Sequence, residues 1–155
     1  MNSNLRRVIP DVASHLCIGL IGSGLIYIAL GNKLYALAFF LGSIFIDLDH
    51  LIDYFMYFGF HFSLKKFFSL EYLRSGKVYM FFHSWELFII IFAVSIAFDF
   101  FPLFFFSLAI AVHLLFDTLH RIRPLFYFLI YRAAKNFDAR LLCPECLEDF
   151  THPTP

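Results

Sequence analysis

Four apolar runs, each about as long as one membrane crossing, constrain this chain more than any other feature. They cover about residues 12–30, 34–55, 78–98 and 103–120, each near the roughly 20 residues that span a hydrocarbon core. Composition agrees. The 155 residues are 61% hydrophobic and only 15% charged, against about 45–50% and about 25% in soluble domains. The expected fold is all-α, an integral membrane four-helix bundle forming a single domain over about residues 1–135, followed by a tail over 136–155. The N-terminal run follows Arg6, Arg7, Pro10 and Asp11. No small-residue cleavage pattern closes it, so it is expected to stay as the first span. Asp11 suits a cap on that span.

Short links, "GNK" and "DFFP", join spans one to two and three to four. Gly19, Gly22, Gly24, Gly42 and Ser43 are small residues that let helices pack closely in lipid. Two further stretches, about 61–75 and 124–135, mix Phe, Leu and Tyr with Lys and Arg. They are expected to be amphipathic helices lying in the interface, the second opened by Pro124. Alternation of four spans puts Arg6, Arg7, Lys65, Lys66, Arg74, Lys77, Arg121, Arg123, Arg132, Lys135 and Arg140 on one side and Lys33 alone on the other. That asymmetry predicts both termini in the cytoplasm. No block of like charge suggests a nucleic-acid surface.

Against this apolar background the stretch "FIDLDHLIDYF" stands out, because charge at the end of a span is costly to hold. Asp47, Asp49, His50 and Asp53 close span two. His15 opens span one, His83 and Glu86 open span three, and His113, Asp117 and His120 close span four. All these ends face the same side. His15, Asp47, His83 and Asp117 lie 15, 13, 15 and 14 residues from the far ends of their spans, roughly 20–22 Å at helical rise. Four segments therefore bring His or Asp to one depth. Helical spacing also gathers side chains within segments: i, i+3 for Asp47 and His50 and for His83 and Glu86; i, i+4 for Asp49 and Asp53; i, i+4, i+7 for His113, Asp117 and His120. His61, near the interface, is read as a packing or interface residue.

Imidazole and carboxylate donors suit zinc, iron or manganese, and a divalent ion offsets the charge of buried carboxylates. The donors exceed the needs of one tetrahedral zinc, so one or two ions are expected. A two-ion site favours hydrolysis at phosphorus or acyl carbon. Ser84 next to His83 does not indicate a serine hydrolase, and no nucleophile elbow or phosphate loop is present.

The ordered motifs "DLDH", "HS" and "HLLFD" resemble those of the small inner-membrane metal-dependent hydrolases, a four-span family that includes a LexA-regulated type. The resemblance covers about residues 12–120. Two places differ: Ile46 stands where the family has Pro, and Val78 and Tyr79 stand where it has a His-Arg pair. Asp53, Glu86 or His120 would then supply the missing ligand. The resemblance implies a hydrolase of the bacterial inner membrane, with His15, Asp47, His50, His83, His113 and Asp117 as metal ligands and Asp49 shared or bridging. Glu86 and His120 remain as catalytic candidates. Glu86 would accept a proton from the attacking water, and His120 would protonate the leaving group, unless either only orients a ligand.

The expected substrate is a phosphate ester or lipid headgroup at the cytoplasmic leaflet, where the basic residues attract anionic lipid; the expected partner is membrane lipid. Two other classes compete. A metal-ion transporter or sensor needs polar residues through both leaflets, but the far halves of the spans are apolar. A non-catalytic structural subunit would use the polar groups only to fix helix packing, and metal content separates it from the others. In the tail, Cys143 and Cys146 form "CPEC", with His152 beyond. A lone pair falls short of a structural zinc site. Cys17, within span one, is expected to pack.

Overall fold

The computed structural model describes residues 3–68, 72, 75–120 and 123–142, with backbone alone at 3–9, 11 and 120. Arg74, Arg121, Cys143, Cys146 and His152 lie outside the described residues, as do the side chains of Arg6, Arg7, Asp11 and His120. The chain is mainly helical: α1 (Ser3–Leu30), α2 (Lys33–Phe45), α3 (Leu48–Phe58), α4 (Leu64–Phe68), α5 (Trp85–Ala97), α6 (Phe101–His120), a 3₁₀ turn (Pro124–Tyr127), α7 (Leu129–Ala134) and α8 (Ala139–Leu142). Among the described residues, one isolated antiparallel bridge, Lys77 with Asp138, is the extended pairing.

Three helical stretches are long and apolar enough to cross a membrane: Val12–Leu30, Lys33–Phe58 and Phe101–Leu119. The second contains a break. At Ile46 and Asp47 the helix tightens into i→i+3 bonds, Asp47 N–H to Ile44 C=O and His50 N–H to Asp47 C=O at 3.1 and 3.2 Å, and Asp47 becomes the residue before α3. The tight turns arise as expected. Gly31 takes φ +64°, and the Asn32 side chain accepts from the N–H groups of Leu34 and Tyr35, capping α2.

The third run differs from expectation. Helix begins only at Trp85, because the Ser84 hydroxyl caps it by accepting from Leu87 N–H. Thirteen helical residues reach only about 20 Å, less than the roughly 30 Å core. Residues 78–84 are irregular. Non-helical backbone within a membrane would be tolerated only where protein satisfies its polar groups, and several of these groups have protein partners. Val78 N–H donates to Phe137 C=O. Tyr79 N–H donates to Asp53. Phe82 and His83 N–H donate to Asp49. Arg132 donates to the carbonyls of Met80 and His83. The expected i, i+3 relation of His83 and Glu86 on one helix therefore does not arise.

Helix α2 packs against α1 and α6, and α6 against α5. Small residues make two of these approaches. A methyl group on Gly42 would meet the backbone carbonyl of Phe106, and one on Gly19 or Gly22 would meet Ser43 or Phe39. Gly24 faces open space, so it makes no such contact. Ser23 Oγ also donates to Ala36 C=O at 2.9 Å, tying α1 to α2. Leu20, Ile21, Leu25 and Ile28 face outward, as lipid-facing residues would. Cys17 is exposed as well, rather than packed.

A buried cluster of Ile46, Val78, Met80, Ile110, Leu114, Phe126, Tyr127, Ala139 and Leu142 includes the sequence neighbours of Asp47 and His113. It draws in residues expected to form a separate tail. Ala139 N–H donates to Gly76 C=O and Lys77 Nζ to Asn136 C=O, so the folded body extends to Leu142. The stretch 124–135 is not one amphipathic helix: a 3₁₀ turn precedes α7. Arg132, counted among the basic residues of one side, is fully buried. In 61–75 the described α-helix is α4, and Tyr72 and Ser75 are in 3₁₀ conformation.

Candidate metal centre

Four separated segments deliver the polar groups: α1 brings His15, the α2–α3 break Asp47, the irregular segment His83, and α6 His113 and Asp117. Of these, His15, His83, His113 and Asp117 are buried. Two groups with ligand atoms within 4.8 Å of one another result, His15–His113–Asp117 and Asp47–His83–His113. They share His113.

Two carboxylates approach the same two imidazole nitrogens. Asp47 Oδ1 lies 3.7 Å from His83 Nε2 and 3.6 Å from His113 Nε2. Asp117 Oδ2 lies 4.0 and 3.8 Å from the same two nitrogens. An imidazole N–H donating to a carboxylate would close to about 2.8 Å, whereas ligands on a tetrahedral ion at about 2.0–2.1 Å stand roughly 3.3 Å apart. These separations exceed both, and they are closer to the spacing of ligands. Asp47, His83 and His113 form one such donor set and His15, His113 and Asp117 the other, with Asp117 Oδ2 also near His83.

The donor atoms are also oriented for this. His113 Nδ1 lies 3.3 Å from Ser43 C=O, so it carries the proton and Nε2 presents its lone pair. Buried His113 Nε2 has no hydrogen-bond partner, a costly state that a cation relieves. His83 Nδ1 lies 3.0 Å from Asp49 Oδ2, which likewise directs Nε2 to the cluster. His15 Nε2 lies 3.0 Å from Asp117 Oδ1, and its ring stacks on His113 at 3.8 Å between centroids. Buried His and Asp groups of this chemistry fit a divalent ion.

Other expected site residues are placed differently. Asp49 was expected to be shared or bridging. It lies behind His83, where its Oδ2 accepts from Phe82 N–H, His83 N–H and His83 Nδ1 at 2.5, 2.7 and 3.0 Å. Its chemistry here is that of a carboxylate orienting an imidazole. His50 is outside both groups; its Nδ1 meets the Tyr72 hydroxyl at 3.2 Å, and its ring is 5.4 Å from that of His83. Glu86 does not reach the cluster. Its two oxygens accept from Leu129 and Ile130 N–H at 2.9 and 3.0 Å, capping α7. The His120 side chain lies outside the described atoms.

Three residues outside both donor groups matter here, and only Asp53 is indicated by spacing. Arg132 Nη1 donates to His83 and Phe126 C=O and Nη2 to Met80 C=O, at 2.9, 2.9 and 2.6 Å. It thereby pins the segment that carries His83. Burial lowers its pKa from the ordinary guanidinium value, while Asp49 and Glu86 raise it. Tyr72 is buried against His50, and burial raises its phenol pKa, so it remains a hydroxyl. Asp53 holds Tyr79 N–H. The pairs Arg132–Met80 and Tyr72–His50 are far apart in sequence, so no local pattern announces them.

No family model matches this sequence, and no curated protein and no solved structure is similar to it. The functional reading therefore rests on the site's own chemistry.

Proposed function

We propose that the chain is a membrane-embedded metal-dependent hydrolase acting on a phosphate ester or lipid headgroup at the cytoplasmic leaflet. The observation that carries this is the ring formed by Asp47, His83, His113 and Asp117, whose unlike donor atoms stand 3.6–4.0 Å apart. A divalent ion bound there supplies Lewis acidity and activates water near neutral pH. The chain's own residues do the rest. Ser43 C=O and the Asp49 carboxylate set the tautomers of His113 and His83. His15 holds the outer oxygen of Asp117. Arg132 keeps the His83 segment in place. Asp47, partly exposed beside its buried partners, gives the centre an open side.

In this reading α5 completes a four-helix bundle in the inner membrane, its irregular lead-in making up the length that the helix lacks. Both termini and the metal centre face the cytoplasm, following the Lys and Arg asymmetry. Zinc fits the donor set, as do manganese and iron. An ion-transport path is disfavoured: Ser95 and Ser107, buried toward the far leaflet, donate to Phe92 and Phe104 C=O on their own helices and offer no relay. The test is hydrolysis of a panel of phosphoesters and phospholipids by purified, metal-loaded protein. Activity lost with chelator and restored by metal is expected. Full activity in a His83→Ala, Asp117→Ala double variant would refute the assignment.

A further inference from the structure

One turn beyond Asp49 on α3, Asp53 lines a second polar feature. It is 5% exposed. One oxygen accepts from Tyr79 N–H at 3.3 Å, and Oδ2 has no hydrogen-bond partner. A carboxylate oxygen buried without a donor is costly. Beside it is a cavity of about 90 Å³ lined by Asp53, Met56, Tyr57, Ser75, Lys77 and Tyr79. Met56 and Tyr57 are exposed on the outer face of a helix apolar enough to span a membrane, so the mouth opens where lipid would lie. Tyrosines at such a level are common at headgroup depth.

The lining selects its ligand. Asp53 calls for a group that carries both positive charge and N–H donors. Tyr57 and Tyr79 offer aromatic surface to a cation. Ser75 Oγ is already committed to the backbone of Lys77, accepting from its N–H and donating to its C=O. Lys77 Nζ donates to Asn136 C=O and keeps two further N–H donors for an anion. An anion alone would leave Asp53 unanswered, and a quaternary ammonium has no N–H to give it. We infer that this cavity binds the headgroup of a phospholipid bearing a primary ammonium next to its phosphate, of the ethanolamine type, with the ammonium on Asp53 and the phosphate toward Lys77.

One backbone segment serves both the cavity and the metal centre. Tyr79 N–H is held by Asp53, and Phe82 and His83 N–H by Asp49, so one segment joins the two. Headgroup selection by the proposed hydrolase would follow through that shared segment. This consequence rests on the hydrolase reading, while binding itself does not.

The experiment is native mass spectrometry of the purified full chain, stripped of metal by chelator, with dihexanoyl phosphatidylethanolamine, phosphatidylcholine and phosphatidylglycerol. Ethanolamine lipid should bind about tenfold or more tighter than the other two, as one charge-assisted hydrogen-bonded contact implies. Asp53→Asn, which keeps an acceptor for Tyr79 N–H, should remove most of that preference. If that variant does not fold, Tyr57→Ala on the exposed rim decides: a preference reduced several-fold supports the site, and an unchanged preference overturns it. Equal binding of the three lipids, stronger binding of the glycerol lipid, or a full preference in folded Asp53→Asn overturns it as well. Hydrolysis is read separately on metal-loaded protein. Ethanolamine preference without hydrolysis leaves this inference standing and sinks the hydrolase; hydrolysis without the preference does the reverse.

Discussion

Changing Asp49 to Asn tests how the centre is built. One oxygen of Asp49 accepts three N–H groups, two from the backbone of Phe82 and His83 and one from the His83 ring. The amide oxygen of Asn still accepts, but without charge. Hydrogen bonds to charged groups are worth about 1.5–3 kcal/mol and neutral ones about 1, so three such losses weaken the segment by about 1.5–6 kcal/mol. Only the ring bond acts directly on metal binding. Removing a partner of this kind costs about 10–100-fold in metal affinity, or about 1.4–2.7 kcal/mol. Purified Asp49→Asn should therefore melt at lower temperature and bind zinc about 10–100-fold more weakly in a chelator competition, with unchanged stoichiometry. Unchanged affinity in a folded variant would refute the orienting role. A fall in stoichiometry would show instead that Asp49 is itself a ligand.

Other perturbations probe separate parts of the account. Arg132→Met should destabilise the fold by about 3–5 kcal/mol, because removing a buried cation leaves three carbonyls unpaired; a melting temperature within a degree of the parent would contradict this. Glu86→Ala should cost about 1 kcal/mol through the lost cap on α7 while metal content and activity persist, and a 10²–10⁴-fold loss of activity at full metal content would reinstate it as a proton acceptor. Gly42→Ala should destabilise by about 1–3 kcal/mol as α2 is forced off the Phe106 carbonyl, whereas Gly24→Ala should stabilise by about 0.5–1 kcal/mol; the reverse order in thermal melts would refute the helix contacts. Single cysteines at Lys33 and Ser75 should label from opposite sides of the membrane, and labelling from one side would overturn the arrangement of spans.

Three of the apolar segments and the gathering of His15, Asp47, His83, His113 and Asp117 were legible because both follow from counting residues along apolar runs. The division of labour was not. Asp47 and Asp49 look equivalent in "DLDH", but the tightened turn at Ile46 and Asp47 sends the first toward His113 and leaves the second behind His83. Ser84 signalled the true start of α5, since a serine ahead of an apolar run is a favoured cap; continuous hydrophobicity through Val78 hid it. Glu86 looked like a second acid near the site because a helix was assumed through His83. Arg132 looked like one more positive charge on the cytoplasmic side, yet its partners Met80 and His83 are 52 and 49 residues away.

The proposed centre holds an ion on Asp47, His83 and His113, with Asp117 beside them. X-ray absorption at the zinc edge, on protein loaded with one equivalent, tests it most directly. The account predicts a first shell of nitrogen and oxygen at about 2.0–2.2 Å with two or more imidazoles, and one imidazole fewer in His113→Ala. A shell containing sulfur at about 2.3 Å, or an imidazole count unchanged in that variant, would contradict it.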